Sequence, residues 1–508
     1  MVVAAAGEPT KALGQSSCKM ASPQYAKRAG PPGTSPPTDP LAELIRTYYA
    51  DLHVRDRMVE FLGGVSLQDA TAYSITTYTS SQEDAPRLRR PHELFDCLDE
   101  GCDVERSLWD RQFLIADLDI EYVNFDFPGE PYLDPDRMFS LQAPVVETIK
   151  DLLVSKGVRP LHLLSGRGHH FVWKIRRDSA CFLKLADLGR VPETLSRTYA
   201  APQPPTGEVV DPLLGRAFAG LGMVIEYVGQ QVLAIAGPRS EIPVQTMAVE
   251  VGTGKLGREI VSFDVSEYGD PLTSRHIRIP FSVYLKLQRI KEYVGEEIVA
   301  GMPPLFEIPL VEMQEAQAAQ FMRRPELVAK LARHADTRIP DQTNGMERLV
   351  ADYMQSPLAT FHKWFYSQEP HAPDAWPSTY DRTSLDSLPG CVQTILQDPN
   401  DLLLKPAAVQ HLVRVFSALG WHPRHIAGLI WSVFERDHQW GQQWLQMDPC
   451  WRAEFYTRVF AGLIFTSTDS LTDFNCVSHQ EKGYCPYPGC PDNLEHYQRS
   501  LSARRNHE

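Results

Sequence analysis

An apolar segment that carries two acidic residues constrains the fold of this chain more than any other feature. Residues 113–120 read FLIADLDI, in which a single leucine separates Asp117 from Asp119 within an otherwise hydrophobic run. In a β-strand, residues two apart point to the same face with Cα atoms about 6.5 Å apart. Two carboxylates that close repel each other by about 1 to 4 kcal/mol. A strand that presents them is expected to bind a hard divalent cation, Mg²⁺ or Mn²⁺, because such ions prefer oxygen ligands.

The Asp-x-Asp pattern alone occurs often by chance, so its interpretation depends on the segments that follow it. Residues 161–175, LHLLSGRGHHFVWKI, predict two short strands joined by a turn whose glycines permit a tight backbone. The turn and the second strand supply Ser165, Arg167 and His170, whose hydroxyl, guanidinium and imidazole suit the oxygens of a triphosphate. The adjacent His169 would face the other side of the strand, so we favour His170 as the functional residue.

A third acidic residue follows later in the chain. Residues 259–266, EIVSFDVS, predict a strand in which Asp264 lies between two apolar residues. This carboxylate would complete a set of three with Asp117 and Asp119. Three unpaired acids gain nothing for a protein that merely binds an anionic ligand, and the set therefore favours catalysis over a non-catalytic binding role.

The order of these motifs resembles that of the archaeo-eukaryotic primase superfamily, in the style of its small catalytic subunit. The likeness covers residues 41–286. It begins with an amphipathic opening helix at 44–62 and ends, after the single aspartate, with RHIRIPFSVY at 275–284. The resemblance implies an α+β fold, with a mixed or antiparallel sheet and an RRM-like core in the catalytic domain. It also implies a nucleotide-binding set composed of Ser165, Arg167, His170 and Arg278.

By this resemblance the chain would be a DNA primase or primase-polymerase that polymerises nucleoside triphosphates on a single-stranded DNA template. Asp117, Asp119 and Asp264 would hold two Mg²⁺ or Mn²⁺ ions that activate the 3′-hydroxyl and stabilise the leaving pyrophosphate. Two alternatives stay open: a repair-type gap- or end-filling polymerase that extends but does not initiate, and a non-catalytic single-stranded nucleic-acid-binding replication protein. Expected partners are the template, the nucleotides and, in replication, a replicative helicase or other replication proteins.

Cysteines form a second group of candidate ligands. Nine are present in the chain, and five follow Leu388. Convergent thiolates suit Zn²⁺ or an iron-sulfur cluster; the alternatives are buried free thiols or a disulfide, which is not expected without a secretion signal. A lone cysteine, a long helical insertion and a later cysteine trio resemble the C-terminal domain of the primase large subunit, which carries a [4Fe-4S] cluster. That match implies the ligands Cys391, Cys476, Cys485 and Cys490, with Cys450 as the rival for one position and Zn²⁺ as the alternative metal.

Length and composition suggest the domain organisation. About three structural units are expected for 508 residues. The predicted units are a disordered leader at 1–40, a small-subunit-like catalytic domain at 41–310, a helical linker at 311–375, a helical large-subunit-like domain with the cysteines at 376–495, and a polar tail at 496–508. In the helical domain, Tyr456 and Arg458 are candidates for base stacking and phosphate contact, although a core position is the simpler expectation for such residues.

The charge and the hydropathy pattern limit the partners. The net charge is −14, which is unusual for a nucleic-acid enzyme because affinity for DNA normally comes from basic surface. No run of 18 or more apolar residues occurs, so no membrane-spanning helix is expected. The first forty residues lack the long apolar core of a secretion signal. We therefore expect a cytoplasmic, nucleoid-associated protein if the source is prokaryotic.

Overall fold

The computed structural model describes most of the chain after residue 39. The described residues are 40–78, 83–247, 258–285, 295–311, 313–386, 388–397, 406–436, 448–471 and 473–486, together with 494 and 499. Residues 1–39 lie outside the described residues, and Pro40–Glu508 forms one compact unit. The leader, the tail and the internal domain boundaries therefore stay predictions.

The strands of the described residues form one sheet, which is antiparallel except for one pair. The strands are β1 (Ala72–Tyr78), β2 (Glu83–Arg89), β3 (Asp103–Asp110), β4 (Phe113–Asn124), β5 (Leu161–Leu164), β6 (Gly168–Arg176), β7 (Val244–Gln245), β8 (Glu259–Asp264), β9 (His276–Arg278) and β10 (Ile308–Pro309). Their order is β10-β5-β6-β4-β3-β1-β2, with β8 paired to β4, β7 paired in parallel to β8, and β9 paired to β3. The predicted strands within 113–120, 161–175 and 259–266 are all present.

Helices cover the sheet and make up the C-terminal part of the chain. They are α1 (Pro40–Tyr49), α2 (Leu52–Phe61), α3 (Leu94–Asp99), α4 (Glu130–Leu133), α5 (Pro135–Ser155), α6 (Ala180–Leu188), α7 (Glu193–Ala200), α8 (Pro212–Ala236), α9 (Glu296–Gly301), α10 (Glu315–Phe321), α11 (Pro325–Ala332), α12 (Thr343–Met354), α13 (Pro357–Phe365), α14 (Gly390–Gln397), α15 (Pro406–Ala418), α16 (Pro423–Phe434), α17 (Pro449–Phe465) and α18 (Cys476–Glu481). An antiparallel sheet followed by a helical region confirms the predicted α+β class.

The predicted opening helix at 44–62 is two helices, α1 and α2. Asp51 separates them with an extended backbone, and its carboxylate accepts hydrogen bonds from the backbone N–H groups of His53 and Val54 at 2.8 and 3.4 Å. An acidic side chain that satisfies the free N–H groups of a first turn favours the start of a new helix. Hydrophobic periodicity continues across this break, which is why the pattern alone predicted a single helix.

The core lies between the sheet and the helices α5 and α8, both of which pack against β4. The apolar residues of β4, among them Leu118 and Ile120, are fully buried. Helix α8 and the turn after it, Pro212–Arg239, are long and apolar enough to cross a membrane by length and composition, but 72% of the most apolar window is buried inside the protein. A buried core helix passes the same test, and packing against the sheet accounts for the apolar character of α8.

A buried ion pair links helix α17 to helix α8. The guanidinium of Arg458, which is fully buried, donates from Nε to Glu226 of α8 at 3.0 Å. Tyr456 is also buried, at 2% exposure. The suggestion that these two side chains contact nucleic acid is therefore wrong, because both are enclosed in the core and Arg458 is neutralised by a carboxylate of the protein.

Candidate active site

The pairing of three strands brings the predicted acidic residues to one face of the sheet. Asp119 of β4 is paired with His170 of β6 on one side and with Asp264 of β8 on the other. Directly paired residues of antiparallel strands point to the same face, and Asp117 shares that face because it lies two residues from Asp119. Three carboxylates and an imidazole, from segments up to 147 positions apart in the sequence, therefore line one surface.

His170 is the basic member of this group. Its Nδ1 lies 2.9 Å from Oδ2 of Asp117, and its Nε2 lies 3.8 Å from Oδ1 of Asp119. Burial lowers the pKa of His170, but the two carboxylates outweigh burial and hold the pKa well above its ordinary value. His169 points to the other face, where its Nδ1 lies 2.9 Å from Nε2 of His162. The register thus brings His170, and not His169, to the acidic residues.

The site contains buried carboxylate oxygens that no described residue satisfies. Oδ1 of Asp117, Oδ1 of Asp119 and Oε2 of Glu267 are buried and have no hydrogen-bond partner among the described residues. Burial raises the pKa of Asp119 well above its ordinary value, and the charges of Glu121, Asp264 and Asp117 raise it further against the opposing effect of His170. Buried carboxylate oxygens without partners fit divalent-cation ligands, since a bound ion would supply the missing interactions.

Two acids that the sequence analysis missed also belong to this site. Glu267 lies in the short turn after β8, and burial, together with the charges of Asp117 and Asp119, raises its pKa well above the ordinary value. Glu307 precedes β10; burial raises its pKa to about 8, although His170 and Arg278 act in the opposite direction. The sequence position of Glu267, three residues after Asp264, could have indicated that it lies near the site. No sequence pattern indicated Glu307, because it reaches the site only through long-range strand pairing.

The turn between β5 and β6 places two of the predicted phosphate ligands. The backbone N–H of Ser165 donates to the carbonyl of Gly168 at 2.9 Å and closes the turn. A side chain at Gly168 would overlap the Ile120 carbonyl of β4, so only glycine permits this close approach. The guanidinium of Arg167 then reaches Glu121 of β4 at 2.5 Å, while its buried Nε has no hydrogen-bond partner among the described residues.

Arg278 lies in an ion-pair cluster that adjoins the acidic site, since its Nε is 4.0 Å from Oε2 of Glu307. Its two terminal nitrogens donate to Asp103 and, at 2.8 Å, to Glu105, and its guanidinium lies 4.6 Å from the ring centroid of Tyr284. Arg278 is 7% exposed. The predicted contact between Arg278 and a triphosphate stays a prediction, and the structure gives this side chain carboxylate partners of its own.

Cys391, the first of the C-terminal cysteines, lies in helix α14. Sγ of Cys391 in α14 lies 3.2 Å from Nε2 of His411 in α15. His479 of α18 joins this pair, and one ligand atom of each of the three residues lies within 4.8 Å of the others. The sequence analysis missed both histidines because it considered thiols alone. The Cys-x-x-His spacing that ends at His479 was an available signal.

The other proposed cysteine ligands occupy different surroundings. Cys476 accepts a hydrogen bond from the backbone N–H of Leu494 at 3.4 Å, and the backbone N–H of Cys485 donates to the carbonyl of His479 at 3.2 Å. Cys490 lies outside the described residues. Cys450, in the first turn of α17, has a pKa raised mainly by burial. The four-cysteine ligand set stays a prediction.

Comparison with known proteins gives one distant likeness. No family model and no curated protein matches this chain. Among solved structures, the chain is similar to the polymerase domain of Ligase D from Mycobacterium tuberculosis in complex with DNA, with 14% sequence identity, coverage of 61% of this chain and 92% of that chain, and a TM-score of 0.30. A likeness of this size does not establish a shared function, so the functional assignment depends on the site itself.

Proposed function

We propose that this protein is a metal-dependent nucleotidyltransferase of the DNA primase or primase-polymerase type, which copies a single-stranded DNA template from nucleoside triphosphates. The observation that carries the proposal is the placement of Asp117, Asp119 and Asp264 on one face of the sheet beside His170. Transfer of a nucleotidyl group requires positioning and charge neutralisation more than a covalent nucleophile. Acidic residues fixed on the sheet would position the reactants through bound ions, and the ions together with the basic side chains of the β5–β6 turn would neutralise charge.

The acidic residues have the right chemistry to hold the ions that this reaction needs. Asp117, Asp119 and Asp264 would bind Mg²⁺ or Mn²⁺, and Oδ1 of Asp117 and Oδ1 of Asp119, which accept no hydrogen bond from the described residues, are available as ligand atoms. When bound, such ions lower the pKa of the primer 3′-hydroxyl and neutralise charge on the departing pyrophosphate. The chain itself contributes the fixed spacing of its carboxylates, which β4 and β8 impose through their register.

The β5–β6 turn would bind the phosphates of the incoming nucleotide. The carboxylates of Asp117 and Asp119 raise the pKa of His170, which favours its cationic form, so His170 would contact a phosphate group brought to the acidic face. The buried Nε of Arg167 lacks a hydrogen-bond partner among the described residues. A phosphate oxygen would satisfy that donor, and a buried donor left unsatisfied costs about 1 to 3 kcal/mol. Ser165 would add a hydroxyl at the start of the same turn.

A variant series tests whether the acids are catalytic. The full-length protein is incubated with a primed DNA template, Mg²⁺ or Mn²⁺ and nucleoside triphosphates, and incorporation is measured beside template affinity by fluorescence anisotropy. Asp117→Ala and Asp264→Ala should abolish incorporation and leave template binding largely intact. Asp178→Asn, which changes an exposed aspartate after β6, is the matched control and should behave as wild type. Normal incorporation in either alanine variant would contradict the assignment.

Omission of the primer separates the candidate activities. New oligomers that carry a 5′-triphosphate on unprimed single-stranded DNA would establish initiation and hence a primase. Extension of primed templates without synthesis on unprimed DNA would identify a gap- or end-filling polymerase. Template binding without incorporation in either reaction would identify a non-catalytic replication protein. Parallel reactions with ribonucleotides and deoxynucleotides identify the preferred sugar.

A further inference from the structure

A buried cluster in the C-terminal helices lies outside the proposed catalytic site. Cys391, His411 and His479 are 5%, 1% and 3% exposed, and each comes from a different helix. The thiol of Cys391 lies 3.2 Å from His411 Nε2, and the two imidazole rings lie 3.8 Å apart between centroids. Polar side chains are seldom enclosed so completely without a full set of partners.

The hydrogen bonds of the described residues do not account for this cluster. Nδ1 of His411 and Nδ1 of His479 are both buried and have no hydrogen-bond partner among those residues. Two imidazoles thus keep a buried polar atom unsatisfied, which is costly for each atom. A bound cation would turn the same three side chains into ligands and explain why they meet.

The surrounding charges are compatible with a dication. Two basic side chains lie near the imidazoles, and each is paired with its own carboxylate. Arg414 donates to Asp469 from Nε at 2.9 Å and from a terminal nitrogen at 2.6 Å, and Lys482 is paired with Asp473. Neutralised in this way, Arg414 and Lys482 oppose a nearby cation only weakly.

We propose that Cys391, His411 and His479 bind a zinc ion. One thiolate and two imidazoles are a typical zinc ligand combination, with Zn–S about 2.3 Å and Zn–N about 2.0 to 2.1 Å. The three ligand atoms already lie within 4.8 Å of one another, so small side-chain shifts would bring them around one ion. A [4Fe-4S] cluster normally takes four cysteine thiolates, and two imidazoles next to Cys391 do not fit that ligand set.

Zinc at this position would join segments that are distant in the sequence. Cys391 and His479 are 88 positions apart, and the ion would link α14, α15 and α18 as a disulfide links two segments. Structural zinc sites contribute directly to the free energy of folding. This inference does not depend on the proposed function, and its test needs no nucleotide or template.

The first test uses the wild-type, full-length protein. Metal analysis should find about one zinc per chain, and the protein should be colourless. X-ray absorption at the zinc edge should show at least two nitrogen scatterers near 2.0 Å and one or two sulfur scatterers near 2.3 Å. Iron with acid-labile sulfide, zinc with three or four sulfur neighbours, or the absence of bound metal would each overturn the proposal.

Variants assign the ligands. His411→Ala and His479→Ala should each lose the zinc, whereas Cys181→Ser, which alters a buried thiol of α6, and His334→Ala, which alters an exposed histidine, should retain it. Zinc that persists in both histidine variants overturns the assignment. If a histidine variant does not fold, the absorption measurement on the wild-type protein still decides the ligand types.

Discussion

Replacement of Asp119 by asparagine should stabilise the metal-free protein while it removes activity. The buried Oδ1 of Asp119 has no hydrogen-bond partner among the described residues, and its carboxyl faces other acids. Asparagine has nearly the same shape but carries no charge. The substitution therefore removes repulsion inside the acidic face without leaving a cavity, and it also removes one ligand of the proposed ion site.

The size of the effect follows from the geometry of the site. Asp264 is paired directly with Asp119, so their Cα atoms are about 5 Å apart. Asp117 is two residues away, about 6.5 Å. At an effective dielectric constant of about 20, these repulsions are about 3 and 2.5 kcal/mol. The attraction between Oδ1 of Asp119 and Nε2 of His170, 3.8 Å apart, stabilises wild type by about 4 kcal/mol and is lost in the variant. We expect Asp119→Asn to raise the free energy of unfolding by about 1 to 2 kcal/mol.

The pH dependence follows from the direction of the pKa shift. Burial and neighbouring acids raise the pKa of Asp119 in the folded protein, so the folded state holds a proton that the unfolded state releases. Wild-type stability then falls as the pH rises above the unfolded pKa. The advantage of Asp119→Asn should be absent below the unfolded pKa, at about pH 3, and should reach its full size once the pH exceeds the folded pKa.

Urea denaturation in EDTA and in Mn²⁺ measures both parts of this prediction. An ion that binds only the folded state stabilises it by about 2.7 kcal/mol at 100 times its dissociation constant. Wild type should gain this stability in Mn²⁺, and Asp119→Asn should gain much less. Asp178→Asn serves as the control and should respond to Mn²⁺ as wild type does. The reasoning would be refuted if Asp119→Asn were less stable than wild type in EDTA at about pH 8 and Mn²⁺ did not stabilise wild type.

Three further substitutions test other parts of the structure. Burial raises the pKa of Glu307 from 4.5 to about 8, so the stability of wild type should fall as the pH rises between these values, and that of Glu307→Gln should fall less. Urea titrations at both ends of this pH range measure the fall. An equal fall in wild type and Glu307→Gln would contradict the assignment. Arg458→Met leaves Glu226 buried without its guanidinium partner and should cost about 3 to 5 kcal/mol. Adding Glu226→Leu should restore only part of the loss, because Oε2 of Glu226 also lies 3.1 Å from Nε2 of the buried His362. A double variant no more stable than the single one would argue against the ion pair. Gly168→Ala should lower the melting temperature and abolish incorporation, because a Cβ at this position would overlap the Ile120 carbonyl of the adjacent strand. Gly237→Ala is the control and should remain close to wild type, since Gly237 has open space around it. Equal stability of the two alanine variants would mean that the β4–β6 register differs from the one described.

Local pattern was enough to predict the strands that build the candidate site. The spacing of Asp117 and Asp119 within an apolar run predicted both the strand and the shared face, since side chains alternate along any β-strand. The glycines around Arg167 predicted the turn. Position across the sheet is not local, so the expectation that Asp264 joins Asp117 and Asp119 did not specify which strands pair.

The residues that were missed reach their sites through long-range contacts. Glu307 joins the acidic face because the two-residue strand β10 pairs with β5, and so short a strand has no detectable periodicity. His411 lies in an apolar helix where a histidine is normally a core residue. Asp51 divides the opening helix through its side-chain hydrogen bonds, which hydrophobic periodicity does not report.

The contact between α17 and the turn after β8 has a consequence for the history of this chain. Gly269 of that turn has no room for a side chain because Phe455 of α17 packs on it, and Arg452 lies 3.8 Å from Asp270. A recombination event that replaced the C-terminal helices with those of another protein would have to supply a matching aromatic residue and a matching cation at this contact. The sheet region and the C-terminal helices should therefore be inherited together, with compensating substitutions across the contact, and not exchanged independently.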